Sequence, residues 1–158
     1  MSIVKLIQTD ANAVNYWEIW QTGKTLTIHW GIVGEQGQSE EEVFSSSGQA
    51  QSRLSRLVHE KSKGDFRELT EDDLSDLTLH FLTASFGTQG DLELRHHLEE
   101  QLDQELGWTG NGYCEGGDIG ENEMSIYCRV LIGRVAKERI FSLLQQQCPG
   151  RKVEIILE

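Results

Sequence analysis

The fold of the N-terminal part of the chain is decided by one stretch, Lys24-Thr25-Leu26-Thr27-Ile28-His29-Trp30-Gly31-Ile32-Val33-Gly34-Glu35-Gln36-Gly37-Gln38. Apolar and polar side chains alternate up to Trp30, which is the period of a strand with one apolar face. Three glycines spaced three apart then follow, Gly31, Gly34 and Gly37. Glycine permits positive φ in tight turns and lets another backbone or a ligand approach closely. We therefore expect Trp30 to be presented beside a glycine-rich turn as a binding surface.

Length and composition describe a chain with enough apolar residues for a packed core. The chain has 158 residues, of which 37% are hydrophobic and 25% charged, so it fits one medium domain or two small ones. No apolar run approaches the roughly 18 residues of a membrane span, and the N-terminus lacks the pattern of a signal peptide. The cysteines form no C-x-x-C pair and are odd in number: Cys114, Cys128 and Cys148. These features predict a cytoplasmic protein with reduced thiols and no disulfide framework or zinc site.

The charge is strongly acidic, with a formal net charge of −12 at pH 7. Phosphate contacts need clustered Lys and Arg, so this balance disfavours nucleic-acid binding and permits a basic protein partner. One segment differs, because residues 48–67 carry a net charge of +3. Its basic side chains form either a nucleic-acid-binding helix face or an ordinary solvated surface. The candidates are Arg53, Arg56, Lys61 and Lys63.

The first half predicts a small antiparallel sheet followed by one helix. A short reversal at Thr22-Gly23-Lys24 joins two of the strands into a hairpin. The three glutamates of the last strand suit the edge of a sheet, where charge blocks unwanted pairing. Apolar residues at helical spacing then predict one helix, which has N-cap candidates at Ser45-Ser46-Ser47 and ends at Gly64. The expected strands are Ser2–Thr9, Tyr16–Trp20, Lys24–Ile32 and Gln38–Phe44.

These residues resemble a WGR domain over roughly residues 3–69. The resemblance rests on Tyr16-Trp17-Glu18-Ile19, on Trp30-Gly31-x-Val33-Gly34-x-x-Gly37-Gln38, on Ala50, and on Glu60-Lys61-x-x-Gly64-Asp65-Phe66. WGR domains occur in poly(ADP-ribose) polymerases and in bacterial regulator-like proteins. The resemblance implies an antiparallel sheet with a helix packed across it.

The resemblance also implies a role for two positions of the motif. In the polymerases the tryptophan packs against a sugar at a DNA end and the neighbouring arginine engages the backbone. Trp30 matches the tryptophan, whereas the arginine position holds Ile32, which makes no charge-assisted contact to phosphate. Trp30 is then either a binding residue or a core-filling sheet aromatic. The candidate binding residues around it are Gly31, Gly34, Gly37 and Gln38, with the basic side chains of the helix.

The second half is predicted to begin after an acidic linker, where Thr70 caps a short helix. The boundary lies near Asp76, so the predicted domains are residues 1–76 and 77–158. If the glycine-rich segment contributes a strand around Asn111–Ile119, the element order is β-α-β-β-α-β, which predicts a ferredoxin-like sandwich. The predicted fold class of the whole chain is α+β. The phrase from Leu106 to Gly120 also resembles small bacterial ferredoxin-like domains of unassigned role, some of which accompany toxin immunity proteins. The expected elements are the strand Leu77–Phe86, the helix Asp91–Leu106, a strand around Asn111–Ile119, the strand Met124–Ile132, the helix Val135–Leu144 and the strand Val153–Leu157.

No motif predicts catalysis, a metal site or a cofactor. The glycines from Gly110 to Gly116 follow a helix and precede a strand, the reverse of a dinucleotide-binding turn. The neighbouring acids lack the spacing of a calcium loop, and no Ser or Cys lies in a nucleophile elbow. A small-ligand or nucleotide site between Trp108 and Ile119 stays open as a minor alternative. Its candidate residues are Trp108, Cys114, Glu115 and Asp118.

Two function classes follow from these observations. The first is a non-enzymatic binding protein, regulatory or immunity-like, of bacterial origin, whose acidic surface engages a basic protein partner. The second is recognition of nucleic-acid ends through Trp30 and the basic helix face.

Overall fold

The computed structural model describes residues 3–158, which divide into two compact units. The first unit ends at Glu71 and the second begins at Asp72. The expected boundary near Asp76 lies slightly later, inside a strand that already begins at Ser75. None of the helices within residues 3–158 is long and apolar enough to cross a membrane.

The first unit is a five-stranded antiparallel sheet with one helix packed across it. Its elements are β1 (Ile3–Thr9), β2 (Val14–Thr22), β3 (Thr25–Ile32), β4 (Gln38–Val43), α1 (Ser47–Ser62) and β5 (Arg67–Glu68). Ser2, the first residue of the predicted first strand, lies outside the described residues. The strand order is β4-β3-β2-β1-β5, which places the glutamate-rich β4 at an edge, as its charge predicted.

The core of this unit follows from the alternation in β2 and β3. Trp17 pairs with Trp30 and Ile19 with Ile28 across the two strands, so the apolar side chains lie on the face that α1 covers. Ile19 and Leu26 are fully buried, and each contributes about 1.5–3 kcal/mol by leaving water. The Ser46 hydroxyl caps α1 by accepting the Gln49 N–H at 3.2 Å, as the serine run predicted.

The second unit has the predicted element order β-α-β-β-α-β. Its elements are β6 (Ser75–Leu82), α2 (Gln89–Trp108), β7 (Gly112–Gly120), β8 (Glu123–Val130), α3 (Gly133–Gln147) and β9 (Val153–Leu157). The strands lie in the sheet order β7-β8-β6-β9, and all three strand pairs are antiparallel, which is the split βαβ arrangement. The expected fold class, a two-domain α+β chain, is confirmed.

Helices α2 and α3 cover one face of this sheet. Their leucine-rich faces pack on alternate residues of β6 and β8 in a single core. Polar pairs bridge the strands on the other face: Tyr127 donates to Asp118 at 2.8 Å, and Arg129 lies 2.6 Å from Asp76. Because side chains alternate along a strand, the clean period of β8 predicted both faces.

The carboxylate of Asp91 caps the start of α2, and Arg151 connects this carboxylate to the end of β6. The Thr88 N–H donates to Asp91 Oδ2 at 2.9 Å, and the Asp91 N–H donates to Thr88 Oγ1 at 3.1 Å, which is a capping box. Arg151 donates to Asp91 Oδ1 at 2.8 Å and to the Leu82 carbonyl at 3.3 Å. The hydrogen bond from the Thr88 N–H lowers the pKa of Asp91 most, and the hydrogen bond from Arg151 lowers it further.

Several elements differ from the expected bounds by two or three residues at an end, and three differ more than that. The short helix after Thr70 is a single 3₁₀ turn at Glu71–Asp73. Strand β6 ends at Leu82 instead of Phe86, because the chain reverses through Ser85 at a φ of 53°. Strand β5 was not expected, since two residues are too short to show a period.

Candidate binding groove

Trp30 lies near the end of β3 on the face of the sheet that α1 covers. Its indole is partly buried and packs against the core of the first unit. The same side chain lines an open groove between β4 and α1. Trp30 is therefore both a packing residue and an accessible one, so the two alternatives that the sequence left open are combined.

The groove has a volume of about 470 Å³. Its floor is apolar and aromatic, and its rim carries two carboxylates and one ammonium group. An apolar pocket with a few polar groups at its rim is the usual form of a ligand site. The lining residues are Trp17, Ile28, Trp30 and Leu57 on the floor, with Glu40, Glu60 and Lys61 at the rim.

The turn after Trp30 is held closed by contacts between its own glycines. A Cβ added to Gly31 would lie 2.8 Å from the Gly37 Cα, and one added to Gly37 would meet the Trp30 carbonyl oxygen at 2.1 Å. Gly37 also has a φ of +66°, where side chains other than glycine are disfavoured. The two glycines therefore bring two backbone segments together and fix the position of Trp30.

A buried polar network supports this turn from the other face of the sheet. The Tyr16 hydroxyl donates to the Glu35 carbonyl at 2.8 Å and lies 3.2 Å from His29 Nε2. His29 Nδ1 lies 2.7 Å from a Glu18 carboxylate oxygen, and Nε2 lies 2.6 Å from the Gln36 carbonyl. Burial, followed by the charges of Glu18 and Glu35, raises the pKa of Tyr16 to about 12. The tyrosine therefore keeps its proton and remains a donor to the turn at neutral pH.

The basic side chains of α1 do not form one continuous surface with Trp30. Arg53 lies 3.8 Å from Glu42 on the edge strand. The Lys61 ammonium lies at the groove rim, 5.9 Å from the Trp17 ring centroid and 4.8 Å from that of Phe66. Arg56 and Lys63 are exposed, and their spacing of seven places them together on the outer side of the helix. Of the four predicted candidates, only Lys61 lines the groove.

The remaining predicted residues of this site are distributed along the turn. Gln38 is exposed and pairs with Trp30 across β3 and β4. Gly34 is buried at a φ of 99°, and Ile32 is 43% exposed at the end of β3. The position that holds the motif arginine in the polymerases thus presents an exposed apolar side chain here.

The candidate ligand residues of the second unit lie mainly on a strand, in the segment where the strand around Asn111–Ile119 was expected. Residues 112–120 form strand β7, with a bulge between Cys114 and Gly116. Cys114 packs into the core, whereas Asp118 accepts from Tyr127 on the opposite face of the sheet. Glu115 lies exposed at the bulge and Trp108 is 47% exposed at the end of α2. The structure does not bring these four side chains together into one pocket.

A second depression, of about 480 Å³, lies between α2 and α3. Its lining is mostly polar, and Arg139 lies 3.1 Å from Glu105 within it. It has no aromatic floor. Within residues 3–158, no group of three or more His, Cys, Asp or Glu side chains is arranged to hold a metal ion.

Sequence reasoning missed several residues of the site. In the sequence, Glu40 is one of the three glutamates of an edge strand and Glu60 belongs to the WGR-like motif, and neither pattern indicates a groove. Leu57 has no distinguishing pattern around it. Their shared groove depends on the register of β4 against β3, in which Glu40 pairs with Ile28, and on the packing of α1. The glycine spacing after Trp30 was the one local signal that pointed to this region.

Comparison with known proteins gives a family for the first unit. Residues 3–73 match the WGR domain family. Among solved structures, the chain is similar to a protein from Bacteroides fragilis with 27% sequence identity and a TM-score of 0.42. That match covers 45% of this chain and 20% of the other. No curated protein matches the chain. The likeness of the second unit to small bacterial ferredoxin-like domains stays a prediction. The N-terminal unit of this chain is a WGR domain.

Proposed function

We propose that the protein is a non-enzymatic binding protein whose Trp30 groove takes a basic segment of a partner protein. One observation carries the proposal: a partly exposed tryptophan lies on an apolar floor next to the carboxylates of Glu40 and Glu60. Aromatic faces attract cations, and nearby carboxylates add a Coulombic attraction. A lysine or arginine side chain satisfies both features. The two rim carboxylates outnumber the single ammonium group of Lys61, so the net charge of the rim disfavours a phosphate.

The charges around the groove extend this preference. Strand β4 carries Glu40, Glu41 and Glu42, all exposed, and Glu35 is exposed in the preceding turn. Together with a net charge of −12 on the chain, these side chains steer a basic partner toward the protein and raise the association rate.

The edge position of β4 favours an extended segment. In the sheet, β4 pairs with β3 alone, so alternate backbone groups of its outer side are open to a further strand. Adding a strand to an exposed edge is a common mode of peptide recognition. A basic strand placed there would lie beside Glu40, Glu41 and Glu42.

The chain already places one cation against the aromatic rings of this region. The Lys61 ammonium lies within 6 Å of the Trp17 and Phe66 centroids, a range in which a cation is attracted to an aromatic ring. A partner cation over the neighbouring Trp30 would make the same kind of contact.

Recognition of a nucleic-acid end is the second candidate. It is supported by the WGR match over residues 3–73 and by the accessible Trp30. Against it stand the two rim carboxylates, Ile32 at the arginine position, and the exposure of Arg56 and Lys63 away from the groove. The small-ligand alternative between Trp108 and Ile119 is disfavoured because Cys114 and Asp118 lie on opposite faces of the sheet.

Fluorescence anisotropy with labelled probes tests these candidates on the full chain. The probes are a lysine- and arginine-rich peptide, an acidic peptide of equal length, and blunt, nicked and single-stranded oligonucleotides, at about 50 mM salt where charge contacts still act. We expect the basic peptide to bind and the acidic peptide and oligonucleotides not to bind. Oligonucleotide binding without peptide binding would replace the proposal with the second candidate.

Matched variants locate the site. Glu40→Gln combined with Glu60→Gln should weaken peptide binding by about 3- to 10-fold, because each exposed charge contributes up to about 1 kcal/mol. Glu68→Gln is the control, since Glu68 lies on β5 at the opposite edge of the same sheet. Equal effects of the rim variant and the control would contradict the groove as the binding site.

We also propose a cytoplasmic location. Cys114, Cys128 and Cys148 are all free thiols, which suits a reducing compartment.

A further inference from the structure

Two of the three cysteines lie opposite each other in the second unit. Cys114 of β7 and Cys128 of β8 are direct cross-strand partners in an antiparallel ladder. Both side chains lie on the face of the sheet that α2 and α3 cover, where Cys128 belongs to the buried core and Cys114 is partly buried against it. The Cα atoms of directly opposed residues in such a ladder are about 4.5–5.5 Å apart, which lies inside the range of disulfides, about 4.4–6.8 Å.

We propose that Cys114 and Cys128 form a redox-active dithiol that low-molecular-weight disulfides convert to a cross-strand disulfide. No change of strand register is needed to join the two thiols, because they already share one register position and one face.

The two thiols differ in a way that assigns their roles. Cys114 is partly exposed, whereas Cys128 is 1% exposed. The Cys128 thiol donates a hydrogen bond to the Cys114 sulfur, which lowers the pKa of Cys114, while this hydrogen bond and burial raise the pKa of Cys128. The Cys114 N–H is also held by Asp103 of α2, at 3.0 Å from Oδ1. Cys114 is therefore the attacking sulfur, because the thiolate is the nucleophile, and Cys128 is the resolving one.

The chemistry balances with a disulfide R–S–S–R as the oxidant. Cys114 loses its proton to water and attacks one sulfur, the R–S–S–R bond breaks, and one thiolate RS⁻ leaves. Cys128 then loses its proton and attacks the Cys114 sulfur of the mixed disulfide, and the second RS⁻ leaves. Two protein thiols are oxidised by two electrons, and the two released thiolates take up the two protons.

The third cysteine provides an internal control. Cys148 follows α3 and is partly buried, and burial raises its pKa. It has no place in the β7–β8 ladder. Within residues 3–158, Cys114 and Cys128 are the cysteines that face each other across paired strands.

The test uses the full chain in its native state, equilibrated without oxygen in mixtures of reduced and oxidised glutathione. Remaining thiols are alkylated after an acid quench, and the peptides are identified by mass spectrometry. We expect the free thiols per chain to fall from three to one, with a Cys114–Cys128 linkage and Cys148 alkylated. Amide hydrogen exchange of β7 should also slow, because the linkage ties this edge strand to β8.

Single variants separate the two steps. Cys148→Ser should oxidise as the natural sequence does. Cys128→Ser should stop at a mixed disulfide between Cys114 and glutathione, and Cys114→Ser should leave Cys128 unmodified because that thiol is buried. The proposal is overturned if three thiols persist at the most oxidising ratio, if Cys114 stays only glutathionylated in the natural sequence, or if Cys148 enters the linkage.

Discussion

The closed turn beside Trp30 gives a sharp test, because the chain holds two glycines with nearly equal φ and different surroundings. Gly37 has a φ of +66° and a Cβ there would lie 2.1 Å from the Trp30 carbonyl oxygen and 2.6 Å from the Tyr16 hydroxyl. Gly23 has a φ of +61° and nothing within 4 Å of such a Cβ. Alanine at Gly23 therefore measures the backbone conformation alone, and alanine at Gly37 adds the steric conflict.

The expected magnitudes follow from these two terms. A left-handed alanine costs roughly 1–2 kcal/mol, of which about 0.4–1 kcal/mol is offset by the reduced freedom of the unfolded chain. Gly23→Ala should therefore lower the free energy of unfolding by about 1 kcal/mol. Overpacking against backbone adds about 1–3 kcal/mol, so Gly37→Ala should lower it by about 2–4 kcal/mol. Since 1 kcal/mol corresponds to about 4–8 °C in a domain of this size, a clash of about 2 kcal/mol separates the two Tm values by about 8–16 °C.

Tryptophan fluorescence during urea unfolding can report on the first unit alone. Three of the four tryptophans lie there, and the fourth, Trp108, is 47% exposed in the second unit. Both alanine variants are therefore made in a Trp108→Phe background, which removes the signal of the second unit. If Gly37→Ala destabilises no more than Gly23→Ala, the turn is not held closed by the contacts described above.

Two further predictions concern buried polar groups. Tyr16→Phe should destabilise the first unit by about 1–2 kcal/mol in urea unfolding at pH 7, because it removes the part-buried hydrogen bond from the Tyr16 hydroxyl to the Glu35 carbonyl. In the natural sequence, the raised Tyr16 pKa of about 12 contributes to the free energy of unfolding. This contribution should be complete below about pH 10 and decline as the pH rises toward 12. Tyr16→Phe should remove this alkaline decline, and an unchanged decline would refute the assignment. Asp91→Asn keeps an acceptor for Thr88 and loses the charge paired with Arg151, so it should cost about 1–2 kcal/mol at pH 7. Since the pKa of Asp91 is lowered, its contribution is present above the ordinary carboxyl pKa and is lost as pH falls through the folded value. The difference in the free energy of unfolding between Asp91→Asn and the natural sequence should therefore become smaller in acid. Unfolding followed by circular dichroism at pH 7 and pH 3 measures this difference, and a constant value would contradict the charge pairing.

Local periodicity predicted most of the fold. The alternation in β3 and β8 depends on nearest neighbours along the chain, and it fixed both the strands and their buried faces. The serine caps and Gly64 predicted the two ends of α1, because helix capping also depends on residues that are adjacent in sequence. Strand β5 and the end of β6 were missed, because a two-residue pairing and a single positive φ at Ser85 leave no period in the sequence.

The site was predictable only in part. Trp30 and its glycines are adjacent in sequence, so their pattern was visible, but the contact of Gly31 with Gly37 needs the folded turn. The groove takes residues from β2, β3, β4 and α1, whose approach depends on register and helix packing. The pairing of Cys114 with Cys128 was hidden as well, because the bulge between Cys114 and Gly116 shifts the register of β7 by an amount that the sequence does not reveal.

NMR spectroscopy can show directly whether a basic segment lies against Trp30 and the edge strand β4. The experiment follows the backbone and indole N–H resonances of the ¹⁵N-labelled chain during titration with the lysine- and arginine-rich peptide. The indole signals are assigned with single Trp→Phe variants. We expect shifts of the Trp30 indole and of the amides of Gln38–Val43, with the Trp108 indole unchanged. Shifts confined to residues outside the groove, or movement of the Trp30 indole with a DNA end and not with the peptide, would contradict it.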